Sequence, residues 1–233
     1  YLLADSELLD ALALAGAAEP ASMQGAVRQC FASVDALEFG DNMAASIVQA
    51  LVSREGERIA LGPNLKARGA LEDWLGLLED HVRKALYKAM KVAVAEYGAS
   101  AAYHQWALQH PAQCAATAAQ VAWVAATEGA IASDDAHLAM RALSHQKVQQ
   151  LVLLTQLLHG DSLTRAQRHA VTRLLTADVH CRDVLESLVA ARVSAPSAFA
   201  WRAQLRFVWD LEADDLVARQ ADAEIAYGYE YVG

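Results

Sequence analysis

Apolar residues recur every three or four positions from Leu71 onward: Leu71, Trp74, Leu75, Leu78, Val82, Ala85, Leu86, Ala89 and Ala93, until Gly98 interrupts them. That period places the side chains on one stripe of an α-helix. About 27 residues at 1.5 Å each predict a helix of roughly 40 Å. Three further stretches carry the same period, approximately Pro111 to Ala132, Asp134 to Leu158 and Leu163 to Arg192, with Pro111 near one start and Gly160 after one end. Four long helices with short joints predict an antiparallel bundle. Nearer the start, Asp5 or Ser6 can cap a short helix through Leu14, closed by Gly16. A second is expected from Ser22 to Ala36, with Val27, Phe31 and Val34 on one face.

The period changes in two places. In ASIVQALVSREGERIALGP an apolar stretch, a charged turn at Gly56 and the alternating Ile59 and Leu61 predict a hairpin that Pro63 ends, although Ala44 to Val52 also suits a helix. After Pro196, in AFAWRAQLRFVWD, Leu205, Phe207 and Trp209 alternate with Gln204, Arg206 and Val208 as in a strand, and Val217 to Tyr231 continues that style. The closing AYGYEYVG, with three tyrosines and two glycines, reads as a strand whose pairing partner lies elsewhere. The expected fold is therefore mainly α: an elongated antiparallel helical bundle with a small β-hairpin and a β-like C-terminal junction. Its expected parts are a short helical subdomain (1–43), a hairpin and loop (44–69), the long-helix bundle (70–195) and the junction (196–233).

Composition narrows the function. Of the 233 residues 55% are hydrophobic, and much of that share is alanine, so the helices should be slim and closely spaced. A net charge of −9 argues against a nucleic-acid or anionic-membrane surface, which needs clustered Lys and Arg. Cys30, Cys114 and Cys181 lie far apart without CxxC spacing and fit reduced thiols. No apolar run is long enough to span a bilayer, and YLLADSELLDALALAG carries acids where a signal peptide needs bases. A soluble, intracellular protein is expected.

Candidate chemistry is sparse. In TADVHCRDV, Asp178 and Arg182 are helical i,i+4 partners, His180 points away from Asp178, and Cys181 falls on the apolar stripe with Leu174, Leu185 and Leu188. A salt-bridged surface over a core cysteine is expected, and a metal-dependent hydrolase using His180 and Asp183 is the remote rival. His110 and Cys114 have zinc-like spacing without two further ligands, so a helix-start histidine and a buried thiol are expected. There is no GxxxxGK[ST] loop and no GxSxG elbow, and the adjacent Asp214 and Asp215 diverge. The five tryptophans, Trp74, Trp106, Trp123, Trp201 and Trp209, read as core anchors. No catalytic, cofactor or metal residue is assigned.

In order along the chain, YLLADSELLDAL, VRQCFASVDALEF, SREGERIAL with GALEDWLGLLEDHVRKAL, TADVHCRDVLESL, FAWRAQLRFVWD and YGYEYVG resemble the dynein heavy chain, in the C-terminal part of its linker before the first AAA+ module. DVHCRDV with YGYEYVG looks more like axonemal chains than the cytoplasmic one, whose tail resembles YGFEYLG. Departures are mild: Leu51 replaces a usual methionine, Val232 a common leucine, and alanine many bulkier residues. The resemblance implies a lever that couples an ATP-driven ring to minus-end-directed microtubule motility, in the cytoplasm and cytoskeleton of a cilium or flagellum. Its nucleotide, ATP or ADP with Mg, would sit in the parent AAA+ ring, beyond the linker. Partners implied are that ring, microtubules through the parent chain, and dynein intermediate and light chains, with no nucleic acid and no membrane. A linker-to-ring junction would comprise Trp201, Phe207, Trp209, Tyr227, Tyr229 and Tyr231. The rival is a helical scaffold or adaptor without motor activity.

Overall fold

The structure is a computed structural model that describes Leu9 and residues 20–40, 47–63, 65–67, 70–98 and 102–233. The helix expected through Leu14 therefore lies outside the described residues except at Leu9, which is helical. The chain divides into two compact units, one running to Ala89 and including Tyr229–Gly233, the other Met90–Gly228. The architecture is mainly helical with small antiparallel sheets, as expected.

In the first unit, helix α1 (Pro20–Cys30) precedes strands β1 (Val34–Phe39), β2 (Val48–Ser53) and β3 (Arg58–Ala60), which form one antiparallel sheet in the order β1-β2-β3. The β2–β3 hairpin matches its expectation and rules out the helical alternative for Val48 to Val52. Ser53 Oγ accepts from the amides of Glu55 and Glu57, and Gly56 takes φ of 86°, a left-handed value that favours glycine. The helix expected from Ser22 to Ala36 is corrected: it stops at Cys30, and Val34 onward is a strand. Its partner, β2, is supplied from later in the chain, with Leu37 opposite Leu51. Local periodicity does not register such a partner. Helix α2 (Leu71–Glu96) is the predicted long helix, and Trp74, Leu78, Val82, Leu86, Met90 and Ala93 form its buried stripe. Its last turns belong to the second unit.

The second unit contains α3 (Tyr103–Ala107), α4 (Ala112–Ile131), α5 (Ala136–His159), α6 (Arg165–Ala190), the single turn α7 (Phe199–Arg202) and strands β4 (Arg206–Asp210), β5 (Asp215–Gln220) and β6 (Ala223–Ala226). The Asp135 side chain caps α5 through the Leu138 amide, and Thr164 with Gln167 forms a reciprocal capping box on α6. Helices α4, α5 and α6 pack on one another; the first part of α2, expected as a fourth member, lies in the other unit. Buried Ala112, Ala115, Ala118, Ala119 and Ala130 line α4, the small faces that the alanine content predicts. Trp123, Met140, Leu185, Leu188 and Trp201 fill the core. In AFAWRAQLRFVWD the alternation of Gln204 to Trp209 is matched by β4, which the helical turn Phe199–Arg202 precedes. AYGYEYVG is also corrected: β6 ends at Ala226 and no strand follows.

Candidate functional site

The junction residues begin in the core of the second unit. Trp201 is fully buried, its ring 5.4 Å from that of Trp123 in a T-shaped pair, and its Nε1 donates to Glu128 Oε1 at 3.3 Å. The same oxygen accepts from Arg206 Nη1 at 3.3 Å, and the Arg206 guanidinium lies 5.7 Å from the centre of the Trp201 ring. Glu128, itself partly exposed, thus fastens the buried Trp201 of α7 and Arg206 of β4 to α4 with charge-assisted bonds. Sequence reasoning missed Glu128 and Arg206. The available signal was an arginine inside the alternating run, out of phase with Phe207 and Trp209.

Opposite residues in an antiparallel pair share a face, so Phe207 with Ala218 and Trp209 with Leu216 occupy one side of the sheet β4-β5-β6. Trp209 is half-buried, unlike the other four tryptophans, so its expected role as a core anchor is corrected to a sheet position. Phe207 meets Tyr227 edge-on at 5.9 Å, and Tyr227 Oη accepts from Gln113 Nε2 of α4 at 2.9 Å. Ion pairs Lys91–Asp214 and Arg202–Asp222 tie the strand ends to helices.

Tyr229 and Tyr231 belong to the other unit. Tyr229, at φ of 50°, is buried edge-on against Tyr87 with ring centres 5.5 Å apart. Tyr231 Oη donates to Glu57 Oε2 at 2.7 Å; burial first, and this bond second, push its phenol pKa up. The six expected residues are divided between the two units. They are a series of anchors: Trp201 in the core, Phe207 with Tyr227 on the sheet, Trp209 beside Leu216, and Tyr229 and Tyr231 in the first unit.

A buried polar cluster was also missed. Asp178 is 1% exposed and pairs with Lys147 Nζ at 2.6 Å through Oδ1, while Tyr103 Oη donates to its Oδ2 at 2.7 Å. The expected Asp178–Arg182 pair is corrected: Arg182 turns to Asp183 at 2.6 Å. Burial pulls the Lys147 pKa down, but Asp178 together with Tyr97 and Cys181 raises it further, so the ammonium is held. Burial and Asp178 together keep the Tyr103 phenol protonated, and burial pushes the Cys181 thiol up to about 12. Cys181 and Cys114 are core thiols as expected. His110 Nε2 lies 3.2 Å from Glu96 Oε2, with burial pulling the imidazole pKa down against that carboxylate. The bonds from Lys147 and Tyr103 to Asp178 join α5 and α3 to α6. Among the described residues no three His, Cys, Asp or Glu side chains converge on a metal position, and no helix is long and apolar enough to cross a membrane.

Comparison with known proteins gives a consistent answer. Residues 1–93 match the family described as dynein heavy chain, N-terminal region 2. The whole chain is 33% identical to dynein axonemal heavy chain 6 of Homo sapiens, over 6% of that protein's length. It is 30% identical to the Dynein-1-beta heavy chain of the flagellar inner arm I1 complex of Chlamydomonas reinhardtii, again over all of this chain and 5% of the relative. Dynein axonemal heavy chain 1 of Mus musculus is 30% identical with the same coverage. The chain spans about a twentieth of the length of these curated relatives.

Proposed function

Because the chain belongs to the dynein heavy chain family, in its N-terminal region, we propose that it is a mechanical linker, a lever through which an ATP-driven AAA+ ring displaces the rest of the motor. The observation that carries this reading is the fastening of the β4-β5-β6 sheet to α4 through Trp201, Glu128 and Arg206. A sheet tied into a close-packed bundle transmits displacement, because packed cores shift between discrete arrangements sooner than they deform. The residues of this segment do structural work, and the nucleotide with its Mg belongs to the parent chain. Microtubules, intermediate chains and light chains are the partners of that parent. A location in the cytoskeleton of a cilium or flagellum belongs to the same reading, supported by the axonemal and flagellar names of the relatives.

A flexible Gly/Ser segment inserted between Ala226 and Tyr227 of the intact heavy chain tests the lever. Its ends would wander by roughly 5–6 Å × √n, and ring motion would be absorbed as slack. ATP turnover should survive while microtubule gliding slows severely. Gliding at normal speed would mean that the junction carries no load, and loss of both activities would assign YGYEYVG to the nucleotide module's own fold.

A further inference from the structure

Among the described residues, exposed large apolar side chains concentrate on α5: Leu138 is 64% exposed, Val148 40%, Val152 50% and Leu153 44%. Leu138, Arg141, His145, Val148 and Val152 follow one another at spacings of three, four, three and four, and all are exposed. That is the spacing of the seam positions between two packed helices. A face that only meets water carries charges along such a stripe, whereas this one carries apolar ends around a polar centre. Beside it runs a groove of about 600 Å³ between α5 and the end of α6, lined by His137, Arg141, His145, Val148, Glu186 and Arg192 among others. Arg141 and Arg192 outnumber Glu186 there, in a chain whose net charge is −9, and neither arginine side chain has an ion-pair partner among the described residues.

We propose that this face of α5 seats an amphipathic acidic helix, with its apolar stripe on Leu138, Val148 and Val152 and its carboxylates on Arg141 and Arg192. Helix-in-groove recognition uses this i, i+3, i+7 pattern of anchors, and a guanidinium gives a carboxylate a bidentate site. Charge decides the occupant. A second copy docked in parallel would set Arg141 against Arg141, whereas an acidic helix answers Arg141 and Arg192 together. The proposal stands apart from the lever reading, since neither the sheet nor its anchors take part in it.

Gln149, exposed beside Val148, replaced by photoreactive p-benzoylphenylalanine in the intact heavy chain tests the docking. After irradiation, mass spectrometry should find the probe joined to one segment with seam-spaced apolar residues flanked by Asp or Glu. Cross-linking yield should fall about tenfold when Arg141→Glu and Arg192→Glu are added, and should be unchanged by Arg54→Glu in the first unit. Absence of a cross-link, a cross-link to a basic or non-helical segment, or one only to a second copy of this face would overturn the proposal. Gliding and ATP turnover with the Ala226–Tyr227 insertion report separately on the lever.

Discussion

Lys147 and Asp178 are two full charges inside a bundle, 2.6 Å apart, with the Tyr103 hydroxyl completing the carboxylate's shell. Such a pair gains little net stability over an apolar replacement, but removing one member strands the other in low dielectric. Lys147→Met should therefore destabilise the second unit by about 3–5 kcal/mol. Lys147→Met with Asp178→Leu and Tyr103→Phe should come back to within roughly 1–2 kcal/mol of the parent, because no buried polar atom is left unmatched. Urea unfolding of the variants checks this, and a triple variant as unstable as the single one would contradict it. The pair links α5 with α6 and the phenol links α3 with α6, so the cluster selects one helix register, a role in which buried ion pairs are better attested than in stabilisation.

At the scale of elements, β1 shows how a strand arises where the local pattern points to helix. Gln24 of α1 presents both ends of its amide to Leu37: Nε2 donates to the carbonyl at 2.6 Å, and Oε1 accepts from the amide at 2.8 Å. Arg28 adds a bond to the Asp35 carbonyl. These side chains occupy the outer edge of β1 as a neighbouring strand would, and so blunt an edge that would otherwise recruit another chain. Gln24→Ala should lower stability by about 1–3 kcal/mol, for two lost bonds that leave partly buried backbone groups. It should also raise self-association. Thermal unfolding and sedimentation at several concentrations measure the two effects, and a variant as stable and as monomeric as the parent would show the edge needs no cover.

At the scale of the whole molecule, Tyr229 and Tyr231 complete a unit whose other residues lie far earlier in the chain. Tyr229→Ala removes a buried ring from its contact with Tyr87 and should destabilise that unit by about 3–5 kcal/mol. Hydrogen exchange should then quicken at β2 and β3 while α4, α5 and α6 keep their protection, because distant sites without shared partners act independently. Uniform quickening throughout would mean that the two units open as one.

The period of apolar residues determined, without help from any distant contact, that α2, α4, α5 and α6 are helices, and which stripe α2 and the end of α6 bury, since i to i+4 bonding and side-chain spacing are local properties. Turn chemistry likewise pointed to the β2–β3 hairpin at Gly56, while leaving a helix open for Ala44 to Val52. Tertiary structure decided the rest. Val34 to Ala36 became strand because β2 and Gln24 supplied its hydrogen bonds, and Asp178 took Lys147 over its i,i+4 neighbour because its position in α6 faces inward. Tyr229 and Tyr231 found packing partners where a strand was expected, because Tyr87 and Glu57 lie more than a hundred residues away in sequence and only folding brings them together.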